Sequence, residues 1–137
     1  MLRAVAAAAL FSAAGAVQAC GYCVEDKIAA VYDHAVVTHA VGRKHGVVFF
    51  AIDGNLKPGD ATRRRIEALA ASAPGVDRAS VRLSMEAAML AVAFDPSRVP
   101  LAQLHGILER RLAGHGLSLM ALRVLQDPGD LAAVRRR

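Results

Sequence analysis

Two short runs without a charged residue, Val47-Val48-Phe49-Phe50-Ala51-Ile52 and Met89-Leu90-Ala91-Val92-Ala93-Phe94, constrain this chain more than any other feature. Their length and aromatic content favour strands over helices. A strand that is apolar at successive positions has no face to leave in water, so both runs need cover on both sides. They are therefore expected as the middle strands of a sheet with a packed layer above and below. Asp53-Gly54 closes the first run and Asp95-Pro96 the second.

The segments around them supply the rest of an α+β domain. Asp60 is a plausible N-cap for a helix from Ala61 to Ser72, which Pro74-Gly75 ends. Ala79 to Ser84 alternates Val81 and Leu83 with Ser80, Arg82 and Ser84, which predicts a strand with one wet face, and Met85 to Ala88 is the turn after it. Leu101 to Ala113 places Leu101, Leu104, Ile107, Leu108 and Leu112 on one helical face. Gly114-His115-Gly116 then leads into a last strand from Leu117 to Leu125, and residues 127–137 read as a polar basic tail.

Ahead of the sheet, Val24 to Val41 lacks Gly and Pro and aligns Val24, Ile28, Val31, Tyr32, Ala35 and His39. It reads as one helix of about 27 Å at 1.5 Å per residue. The order of elements predicts a ferredoxin-like βαββαβ antiparallel sheet with an additional N-terminal helix. Residues 46–126 form the sheet domain, and 20–45 a segment whose helix covers the second face. Ala91 and Ala93 permit its close approach.

Residues 1–19 read as a signal peptide: Arg3 precedes the apolar stretch Ala4 to Phe11, and Val17-Gln18-Ala19 offers small residues for cleavage before Cys20. The expected compartment is periplasmic or secreted, with a lipid anchor on Cys20 a lesser alternative. No later segment reaches about 18 uninterrupted apolar residues, so the mature chain is expected to lack a transmembrane span. The charged fraction of 21% in a 137-residue chain excludes a disordered polyelectrolyte, and two cysteines exclude a disulfide framework. The formal charge is +5. Its runs, Arg63-Arg64-Arg65, Arg110-Arg111 and Arg135-Arg136-Arg137, have no aromatic interleaving, so a nucleic-acid partner is not expected. No nucleophile–base or paired-carboxylate constellation points to hydrolysis.

Further stations are Gly54 after the first strand, Ile66-Glu67 and Leu69 in the helix, then Pro74-Gly75-Val76. Ala79, Val81, Leu83, Val92, Phe94-Asp95-Pro96, Leu104, Leu108 and Gly116 follow. With these, Val47 to Leu125 resembles the heavy-metal-associated domain of copper chaperones and metal-pumping ATPases. The resemblance implies handling of a soft metal ion, Cu(I) foremost and Zn(II) as the alternative, and exchange with a donor or acceptor protein. That family holds its cation through a Cys-x-x-Cys in the first loop. Here Gly59 and Thr62 take those places, and neither is a soft ligand.

The chain's cysteines lie instead in Cys20-Gly21-Tyr22-Cys23, at the head of the extra helix. Two thiolates there suit Cu(I) or Zn(II). The same tetrapeptide resembles the active sites of thiol–disulfide oxidoreductases, and a local disulfide or an interaction module without metal is the third reading. If the long helix runs antiparallel to the first strand, Cys20 and Cys23 return to the edge where Met85 and Met89 flank one turn and His115 lies in another. The expected metal site is Cys20 and Cys23 with Met85, Met89 or His115 as a third ligand. His34 and His39 fall about 16 Å or more from Cys23 along such a helix. His39 is expected to be packed, and His45 and His105 to lie at the opposite edge or on a helix surface.

Overall fold

A computed structural model describes residues 23–135. In chain order these form α1 (Val24–Ala29), α2 (His34–Gly42), β1 (Gly46–Gly54), α3 (Asp60–Ala71), β2 (Arg82–Ser84), β3 (Met89–Phe94), α4 (Leu101–Ala113), β4 (Leu117–Leu125) and α5 (Pro128–Arg135), with a 3-10 turn at Arg78–Ser80. The four strands make one antiparallel sheet in the order β2-β3-β1-β4. This is an α+β fold, and the two uncharged runs occupy its centre, as their composition requires.

Both faces of the central strands are covered. On one, Val48, Phe50, Ile52, Leu90, Val92 and Phe94 meet Ile66 and Ala70 of α3 and Leu104, Leu108 and Leu112 of α4. On the other, Val47, Phe49, Met89, Ala91 and Ala93 meet Ile28, Val31, Val37, Ala40 and Val41. Strict alternation of the two sets along β1 and β3 follows from the two-residue period of a strand. The second layer expected from the N-terminal segment is present, with Ala91 and Ala93 beneath it.

The layer is not one helix. The chain breaks at 30–33 because Asp33 accepts hydrogen bonds from the backbone N–H groups of Ala35 (3.0 Å) and Val36 (3.2 Å), capping α2 from an extended backbone. A side chain that satisfies those donors removes the reason for the preceding helix to continue. The buried set shifts accordingly: Val37, Ala40 and Val41 are inside, while Val24, Ala35 and His39 of the expected stripe are exposed.

Two ion pairs show how the segment lies. Arg82, Ala91, Phe49 and Arg123 form one row across the sheet from β2 to β4. Arg82 donates to Asp33 at 3.0 Å, and Arg123 donates to Glu25 through both terminal nitrogens. Three strand spacings of about 4.8 Å separate the two arginine backbones, close to the reach of the eight residue steps from Glu25 to Asp33. The segment containing α1 therefore straps across the strands, with Ile28 and Val31 in the second core beneath it.

Asp33 gives this strap a pH dependence. Its carboxyl is held below the usual value of 3.8, first by the Val36 N–H and then by the Arg82 guanidinium. A carboxyl with a lowered folded pKa stabilises the fold above its unfolded value and loses that contribution as pH falls through the folded one. Asparagine can still cap, so Asp33→Asn removes chiefly the charge pair. The variant should lose stability near neutral pH and show a shallower decline from about pH 5 to pH 2. Parallel wild-type and variant curves in a pH series of urea melts would contradict this.

Three further expectations need correction. The strand expected over Ala79–Ser84 is a 3-10 turn followed by the shorter β2, because Ser80 is buried and its hydroxyl accepts from the Ala93 N–H (2.9 Å) while donating to the Asp77 carbonyl. A side-chain bond there replaces a ladder bond. Asp60 begins α3 rather than capping it: Gly59 precedes the helix with φ +119°. The stretch expected as a tail holds α5, with Leu131 against the second core and the Asp130 carboxylate accepting from the Gln126 and Asp127 N–H groups.

Candidate functional site

Cys23 is exposed immediately ahead of α1, and its thiol donates to Asp26 Oδ2 at 3.2 Å. Cys20 and the signal-peptide reading of residues 1–19 lie outside the described residues. The bond between Glu25 and Arg123 fixes the head of α1 beside the half of β4 nearest Leu125. That row lies about 20 Å along β4 from Leu117, at 3.4 Å per residue.

The three accessory residues are not gathered with it. Met89 is fully buried in the core beneath α1 and α2, where its thioether fills apolar space. Met85 is half-buried and packs against the core on the opposite face of the sheet. His115 is exposed in the turn after α4, at the far end of β4 from Arg123. The converging edge inferred for Cys23, Met85, Met89 and His115 depended on one long helix, and the break at Asp33 removes it. Among the described residues no group of three or more His, Cys, Asp or Glu side chains could hold a metal ion. Gly59 and Thr62, at the family's cysteine positions, lie before and within the first turn of α3.

The other histidines stand apart from Cys23 in sequence and differ in their surroundings. His34 is exposed, within hydrogen-bond distance of Tyr32 Oη (3.3 Å) and Thr38 Oγ1 (3.5 Å). His105 Nε2 donates to the Leu119 carbonyl at 2.9 Å, and its ring centroid lies 5.1 Å from that of Phe50. His39, expected to be packed, is exposed.

Sequence reasoning missed a polar cluster built on the buried His45. His45, in the short link before β1, has Nδ1 at 2.9 Å from Asp77 Oδ2 and Nε2 at 3.7 Å from Asp95 Oδ2. The Ser97 hydroxyl, followed by its N–H, holds the Asp95 carboxyl below the usual value. Asp77 and Asp95 follow α3 and β3 at the sheet end where β1 begins, so the cluster ties three loops there. Asp95 stands in a turn motif, Asp-Pro-Ser, which is its only signal; separations of 32 residues and more hide the contacts.

The chain matches no protein-family model, no curated protein and no solved structure. The heavy-metal-associated resemblance thus rests on the motifs of this sequence. No helix among the described residues is long and apolar enough to cross a membrane.

Proposed function

We propose that this chain is an exported protein that binds a soft metal ion, Cu(I) before Zn(II), through Cys20 and Cys23, and hands it to or takes it from a partner protein. The observation that carries the reading is the accessibility of Cys23, three residues from Cys20, whose thiol is engaged only by the Asp26 carboxylate among the described residues. Thiolates at this spacing suit soft ions. Zn(II) usually completes four protein ligands in a structural site, whereas two thiolates are enough for Cu(I). Met85, Met89 and His115 are not part of the proposal, since their positions are accounted for by the two cores and a surface turn. The resemblance of Val47–Leu125 to heavy-metal-associated domains supports the cargo class.

The reduced mature protein should withdraw Cu(I) from a chromophoric chelator, and Cys20→Ser with Cys23→Ser should reduce that withdrawal at least tenfold. Single substitution of Met85 or His115 should change it less than twofold. Retained binding in the double serine variant would refute the assignment. Rapid reduction of insulin by the metal-free protein would instead assign the cysteines to thiol–disulfide exchange.

A further inference from the structure

At the sheet end opposite His45, the loop after β1 and the turn before β4 enclose a cavity of about 300 Å³ against α3. Asn55 and Lys57 line it from the loop, Thr62 and Arg65 from α3, and His115 from the turn, over the buried Ile66. The two walls are fixed to each other. Gly54 pairs with Leu117, and its backbone runs so close to Gly116 that a Cβ on Gly54 would collide with the Gly116 carbonyl oxygen. The backbone thus fixes the two walls, and the exposed side chains of Asn55, Lys57, Arg65 and His115 line the space between them.

Its charge is one-sided. Among the described residues no acidic side chain lines the cavity. Lys57 and Arg65 make no ion pair or side-chain hydrogen bond with the described residues, and neither does the His115 ring. Four other arginines are engaged, Arg82 by Asp33, Arg123 by Glu25, Arg63 by the Leu83 carbonyl and Glu67, and Arg111 by the Leu69 carbonyl and Ser72. Arg43, Arg64, Arg78 and Arg110 also lack a side-chain partner among the described residues, but none of them lines this cavity. Unpaired cations lining a concave site concentrate positive potential where an anion could enter. A guanidinium fork, an ammonium group, a hydroxyl and a carboxamide together match the acceptors of an oxyanion.

We propose that this cavity binds a small ligand through a phosphate or carboxylate group, with Arg65 and Lys57 holding the charge and Thr62, Asn55 and His115 completing its hydrogen bonds. The site is separate from the cysteines, and Cys20→Ser with Cys23→Ser leaves it intact. Titration of the full mature chain, followed by amide chemical shifts, tests it with inorganic phosphate and citrate as probes and chloride at equal ionic strength as control. Saturable shifts at Asn55, Lys57, Thr62, Arg65 and His115 with phosphate assign a phosphoryl ligand, and with citrate a carboxylate one. Arg65→Gln and Lys57→Gln should each weaken that binding at least fivefold with the folded spectrum retained. Arg64→Gln, an exposed neighbour outside the cavity, should leave it within twofold. Non-saturable shifts with both probes, shifts equal to those with chloride, or an equal loss in Arg64→Gln would overturn the proposal.

Discussion

Phe49→Ala should cost about 3–5 kcal/mol of folding stability, the range for deleting a fully buried aromatic side chain. Phe49 is 0% exposed at the centre of β1 and is one of the two inner members of the row from Arg82 to Arg123. Tyr32 stacks on it with ring centroids 6.3 Å apart and planes inclined by 16°. The substitution thus opens a cavity directly beneath the strap and removes the ring on which the break between α1 and α2 rests. Hydrogen exchange should separate the two faces of the sheet: amides of α2 should lose protection before those of α3 and α4, whose core contains no atom of Phe49. A denaturant-derived loss below about 1.5 kcal/mol would show that the second layer contributes little packing energy.

Gly54→Ala should also be severe, by about 2–6 kcal/mol from two independent causes. Gly54 has φ +113°, where an L side chain is strained by about 1–3 kcal/mol. The added Cβ also meets the Gly116 carbonyl oxygen, a backbone atom with no rotamer to yield, and forced overpacking costs about 1–3 kcal/mol more. Gly59→Ala is the matched control, with φ +119° and nothing near its Cβ position. It should show only the backbone penalty. Equal losses in thermal or urea melts of the two variants would contradict the close approach of the two loops.

The elements built from uninterrupted local patterns were legible in the sequence. β1, β3 and β4 lie where the apolar runs stand, α3 and α4 where the helical stripes do, and the need for cover on both faces follows from Val47–Ile52 and Met89–Phe94 alone. What was not legible depends on single side chains choosing distant or competing partners. Asp33 sits inside a continuous helical pattern, and only its bonds to Ala35, Val36 and Arg82 make it a break. Ser80 looks like a solvent-facing residue of an alternating strand until Ala93 is placed opposite its hydroxyl. Glu25 and Arg123 are 98 residues apart, and their pairing sets the direction of α1 and thus the place of Cys23.

The candidate site was less legible than the fold for the same reason. Cys20 and Cys23 are identified by spacing, which needs no tertiary information. The accessory residues were inferred from the course of a helix that the strap redirects. The cavity lined by Lys57, Arg65 and His115 joins two loops about sixty residues apart in sequence, and only the sheet register brings them together.

The central claim is that two thiolates from Cys20 and Cys23 hold a soft metal ion. Native mass spectrometry of the mature chain, reduced and then supplied with one equivalent of Cu(I), tests it most directly. The account predicts an N-terminus at Cys20, a single copper ion per chain and the loss of two thiol protons on loading, all absent from the double serine variant. Failure of the reduced chain to take up copper, or the same copper adduct on Cys20→Ser with Cys23→Ser, would contradict it.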